Sequence, residues 1–69
     1  MFDLHELVAL KVDRDDIGVK STFLGTVIDV VDDGAAYSVE FVDDNGETVE
    51  DSIFAYFLED ELVALNGGV

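Results

Sequence analysis

The stretch GTVIDVVDDGAAYSVEFVDDNGE, residues 25–47, carries most of the fold. Residues 25–31 are rich in β-branched side chains and read as a strand. Asp32-Asp33-Gly34 signals a turn. Residues 36–42 then alternate, with Tyr37, Val39 and Phe41 on one face and Ser38 and Glu40 on the other. Asn45-Gly46, inside DDNGE, is the strongest short hairpin signal, because both central residues of a type I′ turn need positive φ. Two hairpins in succession make an antiparallel meander.

Working outward, residues 47–54 read as the returning strand and residues 7–12 (LVALKV) as a first strand. The polar residues 13–24, with Gly18 among them, form a long loop. Residues 57–62 suit one helical turn, 63–65 a short last strand, and 66–69 a disordered tail. The prediction is an all-β fold: one domain over residues 1–65, a small five-stranded Src-homology-3-like antiparallel barrel with one short helical turn before the last strand.

The order Leu7-Val8-Ala9-Leu10, Gly18, Gly25-Thr26-Val27 and Tyr37-Ser38-Val39-Glu40-Phe41-Val42-Asp43 resembles a family of small bacterial proteins of unknown function. That resemblance implies a Src-homology-3-like barrel and a frequent place in toxin-associated or mobile gene neighbourhoods. It supplies no catalytic residues. Ala55-Tyr56-Phe57 stands where the family pattern has a Pro-containing turn.

With 69 residues and no Cys, the chain has neither disulfides nor thiolate metal ligands to supplement its core. No basic region precedes an apolar run at the N-terminus, and the longest apolar run, residues 53–58, is far short of the ~20 residues of a membrane helix. A cytoplasmic location is the corresponding expectation.

Charge is the other dominant feature. Seventeen acids face three bases, for a formal charge of −14, and the bases Lys11, Arg14 and Lys20 all lie in the first 20 residues. Such a surface repels phosphate backbones and anionic membranes, so direct nucleic-acid or lipid binding is not expected. A basic protein is the favoured partner. Since 49% of residues are apolar, the acidity belongs to a folded body and not to a disordered tail.

Catalysis is not expected. His5 is the only histidine, and Ser21, Ser38 and Ser52 have no other base to activate them. Residues 43–47 invite a calcium reading, yet aligning Gly46 with the invariant glycine of an EF-hand loop puts Phe41 and Ser52 at the end ligands, so the motif fails. No metal and no cofactor are predicted.

The carboxylates carry the functional expectation. The first hairpin places Asp29 and Glu40 on one outward face, with Ile28, Val30, Tyr37, Val39 and Phe41 inward. A two-residue turn at Asn45-Gly46 pairs Glu40 with Asp51, and a three-residue loop pairs it with Glu50. Either register sets like charges opposite each other, which costs up to ~1 kcal/mol. Carboxylates on alternate strand positions lie roughly 6–7 Å apart, a spacing comparable to that of backbone phosphates.

The expected function is therefore a small acidic inhibitor, of the anti-CRISPR, antitoxin or immunity type, that blocks a nucleic-acid-binding enzyme by charge mimicry. Its partner-binding residues are Asp29, Glu40, Asp43, Asp44, Glu47, Glu50, Asp51 and, as an apolar anchor, Tyr56. The alternative is a generic interaction module whose acidity serves solubility or a high-salt host. Val27, Val31 and Val42 are expected on the exposed face, and the sequence leaves open whether two copies pair through them as a homodimer.

Overall fold

The computed structural model describes residues 1–65, so the predicted tail at 66–69 lies outside the described residues. Four antiparallel strands form one sheet: β1 (Leu7–Leu10), β2 (Leu24–Val31), β3 (Ala36–Val42) and β4 (Leu62–Ala64). Their order is β3-β2-β1-β4. The fold is mostly β, as predicted. The fifth strand is not found among the described residues, and the four strands form an open sheet.

Alternation in β3 works as read: Tyr37, Val39 and Phe41 are fully buried. In β2 it does not. The register runs Val27↔Val39 and then Asp29↔Ser38, so Ile28 is an extra residue in a β-bulge. The bulge turns Val27 fully inward and leaves Ile28 exposed, the reverse of the prediction for both. Asp29, opposite Ser38, and Glu40, opposite Thr26, do share the outward face.

The pair of positive φ angles read into Asn45-Gly46 falls at the first turn, and the second turn takes the three-residue alternative. In the β2–β3 turn both Asp32 (φ 49°) and Asp33 (φ 58°) are left-handed, as a type I′ turn demands. At the second turn only Gly46 is left-handed, at φ 79°. There Gly46 N–H donates to the Asp43 carbonyl at 2.9 Å and Asp43 N–H to the Glu47 carbonyl at 2.8 Å. This is a three-residue loop, whose last position takes the glycine.

The return strand predicted at 47–54 ends almost as it begins. Val42 and Thr48 form a single bridge, and Val49 N–H donates to the Phe41 carbonyl at 2.8 Å. The next pair in this register is Glu40 with Glu50, two carboxylates face to face. The chain instead turns into one helical turn, α1 (Glu50–Ile53), with Glu50 and Asp51 in its first turn, where the helix dipole favours acids. Ser52 then replaces the missing strand. Its fully buried hydroxyl accepts from Phe41 N–H at 3.2 Å and donates to the Val49 carbonyl at 2.6 Å.

Phe57 brings the chain back to the β3 edge, exchanging backbone hydrogen bonds of 2.8 and 2.9 Å with Tyr37. A 3-10 turn (Glu59–Glu61) leads into β4, narrower than the predicted helical turn at 57–62. The first and last strands also differ from the prediction: β1 stops at Leu10 and β4 opens one residue earlier.

The core gathers Phe2, Val8, Leu10, Val19, Val27, Tyr37, Val39, Phe41, Phe57 and Leu62. Phe41 and Phe57 meet edge-on at 5.4 Å. The loop after β1 contributes Val19 by folding back through an Arg14↔Val19 bridge. Gly25 is needed where it stands, since a Cβ there would come within 2.6 Å of the Phe41 ring and 2.7 Å of Val39.

Candidate functional site

Ion pairing divides the chain into the segments before β2 and after Phe57, which hold the pairs, and the stretch between them, which holds none among the described residues. Arg14 binds Asp16 through two guanidinium contacts of 3.0 Å, reaches Glu61 at 3.5 Å and lies 5.6 Å from the centre of the Phe57 ring. Lys20 faces Asp15 at 3.5 Å. The Met1 amino group meets Glu59. Among the described residues these are the ion pairs, and every one lies at the N-terminal segment or the final 3-10 turn.

Hydrogen bonds tune the carboxylates of that half. Bonds from the Ser21 backbone and side chain hold Asp13 below the usual carboxylate range. The Arg14 hydrogen bond does the same for Asp16. Glu59 is lowered first by the Met1 amino group and then by the Tyr37 hydroxyl. That hydroxyl belongs to a fully buried side chain: it accepts from Phe2 N–H at 3.1 Å and donates to Glu59 Oε1 at 3.0 Å.

An open groove of about 410 Å³ lies in the same half, between Leu10, Lys11 and Arg14 on one side and Asp60 and Glu61 on the other. None of the sequence-predicted site residues lines it.

The other half holds those residues. Asp29, Asp32, Asp33, Glu40, Asp43, Asp44, Glu47, Glu50 and Asp51 make no ion pair among the described residues. The cross-strand carboxylate pair predicted for Glu40 is absent, because the return strand is. Thr48 takes that place, its hydroxyl donating to Glu40 Oε2 at 3.1 Å. Asp43 is an internal turn residue, its Oδ1 accepting from Asn45 N–H at 2.9 Å and Glu47 N–H at 3.0 Å. Four predicted site carboxylates remain exposed along one connection: Asp44 and Glu47 on the loop, Glu50 and Asp51 on the helical turn. Six of these nine carboxylates lie along the chain between residues 40 and 51, an acidic ridge in sequence, and of the predicted site residues the sheet itself contributes only Asp29 and Glu40.

Tyr56 and Phe57 face opposite ways, as adjacent residues of an extended segment do. Phe57 is fully buried and Tyr56 is 63% exposed. The sequence reading missed two neighbours of Tyr56: Phe54 is 81% exposed and Leu58 is 53% exposed. Residues 53–58 form one unbroken apolar run, so no period in it marked which side chains would be left outside.

Among the described residues no three His, Asp or Glu side chains come together as a metal ion would require. No helix among them is long and apolar enough to cross a membrane. No curated protein and no solved structure matches this chain. One family model does, over residues 4–52, a span that holds β1, β2, β3, both turns and the whole acidic ridge. The chain thus belongs to the family described as Domain of unknown function (DUF4926).

Proposed function

We propose that this protein is a small acidic inhibitor that binds a basic surface on another protein, such as the groove of a nucleic-acid-binding enzyme, and excludes the nucleic acid. The observation that carries this reading is the run of nine carboxylates between Asp29 and Asp51 that face no cation of their own chain among the described residues. No cation of the chain neutralises them among the described residues, and the summed field steers a basic partner into rapid encounter. Asp44, Glu47, Glu50 and Asp51 act as the phosphate surrogates. Asp29, Glu40 and Asp43 extend the same negative surface, Glu40 while also holding Thr48 and Asp43 while also holding the second turn.

Two features favour binding over acidity for solubility alone. A chain made acidic only to stay dissolved has no reason to leave Phe54 81% exposed. It also has no reason to set Arg14 and Lys20 against Asp15, Asp16 and Glu61 and leave nine carboxylates in succession without a cation among the described residues. In this reading the sheet closes as a Src-homology-3-like barrel, supported by the Tyr37–Phe57 bridge at the β3 edge. A place in toxin-associated or mobile gene neighbourhoods suits an inhibitor of this type.

The test is affinity capture at low and high salt, followed by competition between the captured protein's nucleic acid and this chain. Neutralising the ridge with Asp44→Asn, Glu47→Gln, Glu50→Gln and Asp51→Asn together is expected to weaken binding about tenfold or more at low salt and to flatten its salt dependence. Unchanged affinity and salt dependence in that variant would overturn the proposal.

A further inference from the structure

Beyond the acidic ridge, the structure leaves an apolar strip without a partner. Exposure alternates along residues 54–58: Phe54, Tyr56 and Leu58 are 81%, 63% and 53% exposed, while Ala55 is half-buried and Phe57 wholly buried. The strip is held firmly from below. Phe57 exchanges two backbone hydrogen bonds with Tyr37 and packs between Phe41 and the Arg14 guanidinium. An ordered base with three large apolar side chains turned to water is the anatomy of an interface anchor, where aromatic residues supply most of the affinity.

Charge identifies the occupant. The strip is bracketed in sequence by exposed Glu50 and Asp51 before it and exposed Glu59 and Asp60 after it, and no Lys or Arg occurs after residue 20. A second copy would bring the same acids against these. An anionic membrane would be repelled for the same reason. A segment carrying both apolar and cationic side chains satisfies the strip and its rim together.

Backbone chemistry adds the conformation. Among the described residues the amide and carbonyl of Tyr56 make no hydrogen bond, while those of Phe57 are used on Tyr37. The outer edge of this short extended piece is therefore open to a chain laid alongside it, as in strand addition.

We infer that Phe54, Tyr56 and Leu58 form the docking strip for an extended segment of the partner protein in which apolar residues alternate with Lys or Arg. This rests on the proposed binding of a basic protein and names the part of the partner that is grasped. The strip lies after residue 52, where the family match ends, so it confers specificity on this chain beyond the shared fold.

The experiment titrates the full chain with three nine-residue capped peptides: alternating Lys and Leu, the same residues with the lysines in one block, and alternating Glu and Leu. Binding is read from amide shifts at residues 54–58, with sedimentation of the chain alone as a control. The expected result is that the alternating Lys peptide binds at least tenfold tighter than the block peptide and that the Glu peptide does not bind. Phe54→Ser with Tyr56→Ser, both at exposed positions, should remove that tenfold preference while leaving the fold signature intact. Equal binding of the two Lys peptides, with shifts confined to residues 43–51, would overturn the strip and leave the acidic ridge standing. Failure of both Lys peptides to bind would overturn strip and ridge together. Self-association abolished by the double Ser variant would assign the strip to a second copy and overturn the inference.

Discussion

The two turns of this chain begin almost alike, Asp32-Asp33-Gly34 and Asp43-Asp44-Asn45-Gly46, and lead to different structures. The first joins β2 and β3 with seven paired positions along the strands. The second gives one bridge at Thr48 and then a helical turn. Turn composition is similar in both, so composition alone selects neither the turn geometry nor the element beyond the turn. That selection falls to the side chains the returning segment must set against its neighbour. After the first turn these are Ala36, Tyr37 and Val39, which fit the sheet. After the second, the register would bring Glu50 against Glu40, and Ser52 offers the backbone another partner.

The largest perturbation of this contrast removes the residue that ends the second excursion. Phe57→Ala deletes a fully buried ring and should cost about 3–5 kcal/mol, enough to unfold much of a domain this small. Urea denaturation followed by circular dichroism measures it. A loss below about 1 kcal/mol would mean that the return to β3 is anchored elsewhere.

Next comes the stand-in for the missing strand. Ser52→Ala leaves Phe41 N–H buried without its acceptor and should cost about 1–3 kcal/mol. Hydrogen exchange at the Phe41 amide should accelerate in the same variant. An unchanged exchange rate would show that Ser52 does not replace a strand.

The glycines sharpen the comparison. At Gly34, φ is 110° and a new Cβ would lie 3.2 Å from the Tyr37 hydroxyl, whereas at Gly46, φ is 79° and the space is open. Gly46→Ala should cost about 1 kcal/mol, and Gly34→Ala distinctly more. Equal losses in thermal or chemical melts would refute the claim that the first turn is the more constrained.

The smallest effect concerns acid. Glu59, Asp13 and Asp16 all have carboxyls lowered by hydrogen bonds in the folded state. Their contribution is present above the ordinary carboxylate range and is lost as pH falls through the lowered folded values. Glu59→Gln should therefore flatten the decline of stability below about pH 4. At the alkaline end, burial raises the Tyr37 hydroxyl, so its contribution holds below about pH 10 and fades as pH climbs through the raised value. Tyr37→Phe removes that alkaline dependence if the assignment is correct.

Much of this was legible in residue order. The strand alternation of Tyr37, Val39 and Phe41, both turn positions and the late break before the last strand follow from local chemistry. So does the imbalance of charge, because net charge does not depend on folding. The predicted site residues in the 40–51 segment stay together for the same reason, being neighbours in the chain.

The bulge at Ile28, the helical turn at Glu50 and the outward strip at 54–58 needed the three-dimensional structure. Each is a choice between locally acceptable conformations, settled by what lies across the sheet: Val39 opposite Val27, Glu40 facing the approach of Glu50, and Tyr37 pairing with Phe57. Local sequence states which conformations a segment can adopt. Only the distant residues packed against it select one, since burial and hydrogen-bond completion are properties of the pair and not of either partner.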